Sequence, residues 1–137
     1  MFKDLAEKIK HLNYVVQRNW DNLPQSCEVG EHKDLDLFVS EEDRDELVTH
    51  LESYYELVDV RSPRDDYYPK AIADQLLASH RWHGGFRIPS EGTAFIALYY
   101  HNLVHKDGDP YKYELEELFL EAYPPVQCAD HGVGYYI

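Results

Sequence analysis

The chain has 137 residues, 44% of them hydrophobic and 14% aromatic, which is enough apolar material for the core of one domain and excludes wholesale disorder. Its 26 acidic and 13 basic residues leave a formal charge of -13, which excludes unaided binding to duplex nucleic acid, because phosphate neutralisation needs a basic footprint. No segment approaches the run of about 18 apolar residues that a membrane-spanning helix requires, and Cys27 and Cys128 match neither a disulfide scaffold nor a metal-ligand spacing, so a soluble, cytoplasmic chain with reduced thiols is expected.

In chain order, Phe2, Leu5, Ala6 and Ile9 fall at helical intervals and predict a short helix over residues 2–11. Residues 14–20, YVVQRNW, read as a short buried strand because Val15 and Val16 are β-branched. A turn at 21–24 and a polar loop containing Gly30 follow. The segment DLDLFV, residues 34–39, alternates acid with apolar side chains and is the clearest strand in the sequence. Ser40 with Asp43 approaches a capping box and opens a helix that places Leu47, Val48 and Leu51 on one face. Residues 55–61 predict another strand, with Val58 and Val60 on one face and Leu57, Asp59 and Arg61 on the other.

Beyond the loop RDDYYP, the spacing predicts a helix over residues 70–81, with Ile72, Leu76 and Leu77 about a turn apart. Phe86–Ile88, between Gly84-Gly85 and Pro89, is too short to classify from pattern alone. The main buried helix is expected from Ser90 to about Lys106, marked by Phe95, Leu98, Tyr99, Asn102 and Leu103. A last amphipathic helix runs from Tyr111 to Tyr123 and stops at Pro124-Pro125. The expectation is an α+β fold, a small mixed β-sheet packed with helices, over residues 1–123. Residues 124–137 are then a tail or the start of a following, covalently linked domain.

Asp34 and Asp36 are the leading chemical signal. Side chains at i and i+2 of a strand share a face, so both carboxylates can converge on one site while Leu35, Leu37 and Val39 anchor the strand in the core. Two ionised carboxylates this close repel, and a hard divalent cation relieves the repulsion by taking their oxygens. Mg²⁺ or Mn²⁺ carrying a nucleotide polyphosphate is the expected occupant. A third carboxylate is expected on an adjacent strand, and Asp59 is the candidate, either as a metal ligand and proton acceptor or as a solvated residue on an exposed edge. Basic groups are scarce, so Arg18, Lys33 and Arg61 are the candidates for contacting phosphate, against pairing with local acids. Tyr67 and Tyr68 are placed to stack on a base or sugar or to pack over the core. His101 and His105 have i,i+4 spacing without the Glu of a zinc-protease motif, so His101 reads as structural, and Lys106 is a further phosphate candidate. His80 and His83 read as residues at a helix end.

The run YVVQRNWDNLP, the polar loop, DLDLFVS and the helix after it resemble the minimal nucleotidyltransferase-like domains of the DNA polymerase beta superfamily. Tyr67-Tyr68-Pro69, Leu76-Leu77 with Arg81, Ile88-Pro89 and Tyr100-His101-Asn102-Leu103 with His105-Lys106 resemble uncharacterised domains of that kind from bacteria and large DNA viruses. The resemblance covers most of residues 12–120 and implies a mixed sheet with a metal-binding Asp-x-Asp, matched here by Asp34 and Asp36. Family members carry a Gly-Ser pair opening a helix before that motif; the corresponding stretch here, Ser26 to Lys33, has none.

Two functions follow as expectations. One is metal-dependent nucleotidyl transfer from an NTP to a small-molecule or sugar acceptor, with Asp34, Asp36 and Asp59 catalytic and metal-binding, and Arg18, Lys33, Arg61, Tyr67 and Lys106 holding substrate. The other is a catalytically degenerate binding or regulatory module of a larger, glycan-modifying protein, favoured by the missing Gly-Ser.

Overall fold

The computed structural model describes residues 2–28, 34–54, 56–105 and 112–122. Lys33, Lys106, the loop around Gly30, Cys128 and the tail 124–137 lie outside the described residues. The chain divides into two compact units, Met1–Ser90 and Glu91–Ile137.

In the first unit, helix α1 (Lys3–Ile9) leads into strand β1 (Tyr14–Val16). Strand β2 (Leu35–Val39) lies centrally, antiparallel to β1 on one side and parallel to β3 (Val58–Arg61) on the other. The three strands thus form a small mixed sheet packed with helices, as the sequence pattern implied. Helix α2 (Arg44–His50) supplies the crossover between the parallel strands. It is shorter than the apolar spacing suggested: the helical stretch opens and closes in 3-10 turns at Glu41–Asp43 and Glu52–Tyr54. Ser40 does cap the first of these, its Oγ accepting from the Asp43 amide at 3.3 Å. The Asp43 carboxylate takes the Asn13 amide at 2.7 Å, tying the helix start to the chain entering β1.

Register sorts the side chains. Val16 faces Leu37, and Leu37 faces Val60, so Tyr14, Val16, Leu35, Leu37, Val39, Val58 and Val60 share one face. That face meets Phe2, just before α1, Leu5, Ala6 and Ile9 of α1, and Leu47 of α2, in the main core. Val15, Asp36, Phe38, Asp59 and Arg61 share the opposite face. Tyr68 covers its centre, edge-on to Phe38 with ring centroids 5.4 Å apart.

Helix α3 (Lys70–Ala78) ends three residues earlier than the periodicity predicted. Ser79 turns extended, and His80–His83 form strand β4, paired with β5 (Phe86–Pro89) in an antiparallel hairpin. His80 and His83 therefore sit on a strand rather than at a helix end. Gly84 and Gly85 make the turn with φ of 58° and 83°, the sign a two-residue hairpin loop demands. Phe86 and Ile88 of β5 complete the main core, and Phe86 meets the Tyr14 ring edge-on.

In the second unit, helix α4 (Glu91–Tyr100) continues into a π-helical turn, His101–His105, and α5 (Lys112–Ala122) follows. The buried face of α4 is Thr93, Ala94, Ala97 and Leu98, with His101 and Asn102 after it. The expected marker residues Tyr99 and Leu103 are exposed instead. Small side chains permit close approach, so the helix presents its alanines inward and its aromatics at the margin. An apolar cavity of about 510 Å³ lies within this unit, lined by Phe95, Tyr99, Leu115 and Leu120.

Candidate functional site

The polar residues of the first unit gather on the sheet face that carries Asp36 and Asp59. Asp36 projects from central β2 and is buried with its partner: Arg18 Nη1 donates to Asp36 Oδ2 at 2.9 Å, and the two side chains are 5% and 8% exposed. Arg18 follows β1, which ends at Val16 and not at Trp20 as the valine-rich run suggested. Its other terminal nitrogen donates to Gln17 Oε1 at 3.2 Å, and lies 3.4 Å and 3.5 Å from the hydroxyls of Tyr68 and Tyr67. Tyr68 in turn donates to Gln17 Oε1 at 2.6 Å, and Gln17 Nε2 donates to the Leu37 carbonyl. The result is a closed polar network under the sheet face, in which each member fixes another.

Burial works against charge on Arg18, and Tyr68, Asp36 and Tyr67 around it outweigh that and hold its pKa above the ordinary value. Burial pushes the Tyr68 hydroxyl up to about 12, only partly countered by Arg18. Cys27, also buried, is pushed up to about 11, chiefly by desolvation, with the negative charges of Asp34 and Asp36 adding to it.

Asp59 stands directly across from Asp36 in the parallel register. It is 53% exposed, and its Oδ2 lies 3.8 Å from Arg61 Nη2. The Arg61 guanidinium, 38% exposed, lies 4.2 Å from the centre of the Tyr67 ring. Asp34 is exposed just before β2. Asp36 and Asp59 thus belong to one face, flanked by Arg18, Arg61 and Tyr67.

Among the described residues no three His, Cys, Asp or Glu side chains gather closely enough to hold a metal ion. Asp36, the central carboxylate, already shares its charge with Arg18. His101 and His105 of the second unit have ring centres 5.8 Å apart, and His101 is buried, in keeping with a structural histidine.

Two participants were not evident from sequence. Gln17 links Arg18, Tyr68 and β2; strand alternation from Val15 puts it on the aspartate face, which is the signal that would have found it. Asn19 is buried with a left-handed φ of 62°, and its side-chain amide has no hydrogen-bond partner among the described residues; nothing in its sequence context announces that.

No helix among the described residues is long and apolar enough to cross a membrane. Set against known proteins, the chain matches no family model, no curated protein and no solved structure.

Proposed function

We propose that this chain is a nucleotidyltransferase-like binding module that has lost the transfer chemistry and serves a larger, glycan-modifying protein. The observation that carries this reading is the buried Arg18–Asp36 pair: the central carboxylate of the Asp-x-Asp is neutralised from within the protein. The ligand would be a nucleotide. Arg18 is committed to Asp36, whereas Arg61 is partly exposed and only loosely held by Asp59 at 3.8 Å, so Arg61 is the cation that meets a phosphate oxygen. Tyr67, braced by Arg61 and Tyr68, offers an aromatic surface for the base or sugar.

A melting scan with each NTP, alone and with Mg²⁺ or Mn²⁺, tests this together with an assay for pyrophosphate release. The expected result is a nucleotide-dependent rise in Tm that Arg61→Ala abolishes, with no pyrophosphate formed. Absence of any shift with every NTP would remove the nucleotide reading.

One observation favours the second reading, metal-dependent nucleotidyl transfer to a small-molecule or sugar acceptor. Asp36 and Asp59 are in register on parallel strands, with Asp34 two residues before Asp36. Pyrophosphate release that needs metal and disappears in Asp34→Asn and Asp59→Asn would establish it in place of the first.

A further inference from the structure

The hairpin of β4 and β5 carries a face that the nucleotide reading does not use. His80 and Trp82 stand at i and i+2 of β4, and Arg87 lies directly across from Trp82 on β5, so the three side chains share one side of the ribbon. Phe86 and Ile88, from the same hairpin, lie in the main core, whereas Trp82 is 53% exposed. The Arg87 amide donates to the Tyr14 hydroxyl at 3.0 Å, which sets the hairpin against β1. That strand is at the opposite edge of the three-stranded sheet from β3, which carries Asp59 and Arg61.

Trp82 is exposed but held in place. The Arg87 guanidinium lies 5.3 Å from the centre of its ring, and the His80 ring meets it edge-on at 5.1 Å. The guanidinium is fixed in turn: Nη2 donates to the Lys10 carbonyl at 3.2 Å, and Nη1 lies 3.4 Å from His80 Nδ1. Arginine has donors only, so Nδ1 accepts and the imidazole proton sits on Nε2. Desolvation, with Arg87 adding to it, lowers the His80 pKa and favours that neutral ring.

These partners define the ligand. The indole face is electron-rich and attracts polarised C–H groups. His80 offers an Nε2–H donor beside it. The two terminal nitrogens of Arg87 are spent on different partners, so the side chain presents no two-pronged clamp for a carboxylate or phosphate. A chain of formal charge -13 also repels polyanions. A pyranose ring meets all of these conditions, with an apolar C–H face bordered by hydroxyl oxygens. Because the indole is braced before the ligand arrives, little side-chain freedom is lost on binding.

We propose that His80, Trp82 and Arg87 form a platform for an uncharged sugar ring, which stacks on the Trp82 indole while its hydroxyl oxygens accept from His80 Nε2 and Arg87. The platform uses neither Arg61 nor Tyr67, and its test contains no nucleotide triphosphate, so its failure is distinct from loss of the nucleotide-dependent shift.

The experiment follows the indole N–H signals of Trp20 and Trp82 by NMR of the full chain, with Trp82→Phe assigning them. The probes are neutral hexasaccharides of glucose, mannose and N-acetylglucosamine, with an oligogalacturonate and a single-stranded oligo-dT as anionic comparisons. At least one neutral probe should shift the Trp82 signal saturably and leave that of Trp20 in place. Trp82→Ala should weaken that binding at least about tenfold, the scale of a lost stacking surface. His80→Ala should weaken it about two- to tenfold, the scale of one hydrogen bond. Both changed side chains face solvent, so the backbone amide spectrum should stay that of the folded protein. If Trp82→Ala unfolds, Trp82→Leu removes the ring while keeping an apolar side chain, and the same loss is expected. No Trp82 shift with any neutral probe overturns the proposal, as does binding that survives loss of the ring. Tighter binding of the oligogalacturonate or oligo-dT than of every neutral probe also overturns it, since the face would then be an anion site.

Discussion

Asp36 and Asp59 stand opposite each other on parallel strands, yet they live in different dielectrics. Asp36 sits on the central strand beneath Tyr68 and is held by Arg18, whereas Asp59 sits on the neighbouring strand, half exposed and only 3.8 Å from a partly solvated Arg61. Two chemically identical groups in register thus have different jobs. The inner one is held by a buried countercharge; the outer one stays open to solvent.

Breaking the inner pair from one side should therefore be costly. Arg18→Met removes the buried countercharge 2.9 Å from Asp36, Asp36→Leu removes that of the guanidinium, and each should lower stability by about 3–5 kcal/mol. The double replacement removes both charges and should cost clearly less than the sum of the two singles. Urea unfolding of the four proteins in a double-mutant cycle measures this, and additive losses would show that the pair is not coupled.

The sequence carried the sheet because β2 alternates acid and leucine so cleanly that one register satisfies both faces. It carried the shared face of Asp36 and Asp59 for the same reason. Local pattern failed where tertiary contacts decide. Helix α3 stops at Ala78 because the following residues pair as a hairpin through Gly84-Gly85, a signal present in the sequence but overshadowed by helical spacing. On α4 the large aromatics looked like the core, but alanines take the close contact. The Arg18–Asp36 pair joins residues 18 positions apart through a side chain that had left its strand, and no periodicity encodes such a meeting.

The network around Tyr68 makes stability fall in alkaline solution. Burial raises Tyr68 to about 12, and burial likewise raises Tyr14 to about 12, so the folded protein keeps phenolic protons that the unfolded chain has lost. This stabilisation is fully present below the unfolded tyrosine pKa of about 10 and is lost as pH rises toward about 12. The loss is on the order of 2–3 kcal/mol for each tyrosine. Urea midpoints should drop between about pH 10 and about pH 12, less steeply in Tyr14→Phe and in Tyr68→Phe. At neutral pH Tyr68→Phe should still cost about 1–3 kcal/mol, because Gln17 loses its 2.6 Å donor in a buried setting.

The loop bearing Tyr67 is set by a capping box that the chain builds directly after β3. Ser62 N donates to Asp65 Oδ2 at 2.8 Å, Arg44 Nη1 donates to the same carboxylate at 2.7 Å, and Arg44 also donates to Ser62 Oγ. Burial would raise the Asp65 carboxyl, but the Ser62 amide and Arg44 outweigh it and hold it below its usual range. Its contribution is therefore present above the unfolded carboxylate pKa of about 3.9 and is lost as pH falls through the lower folded value. Asp65→Ala should cost about 0.5–2 kcal/mol at neutral pH and flatten the acid limb of the stability curve. Chemical denaturation across the acid range reads both, and an unchanged acid limb would assign the acid loss to other carboxylates.

Gly84 and Gly85 offer a sharper contrast, since both have positive φ but only one is crowded. A Cβ on Gly84 would lie 2.3 Å from the Leu23 carbonyl oxygen, whereas a Cβ on Gly85 meets only the Ala6 methyl at 3.4 Å. The left-handed backbone alone costs a non-glycine residue about 1–2 kcal/mol, and Asn bears it better than Ala. Gly85→Ala should therefore lose about that amount and Gly85→Asn less. Gly84→Ala must also push the 20–25 segment away from the hairpin, where His83 holds the Asp21 carbonyl at 3.2 Å. Its loss should exceed that of Gly85→Ala by at least about 1–3 kcal/mol, the usual scale of overpacking. Thermal and urea unfolding of the three variants orders them directly, and equal losses at the two glycines would show that the turn does not press on Leu23.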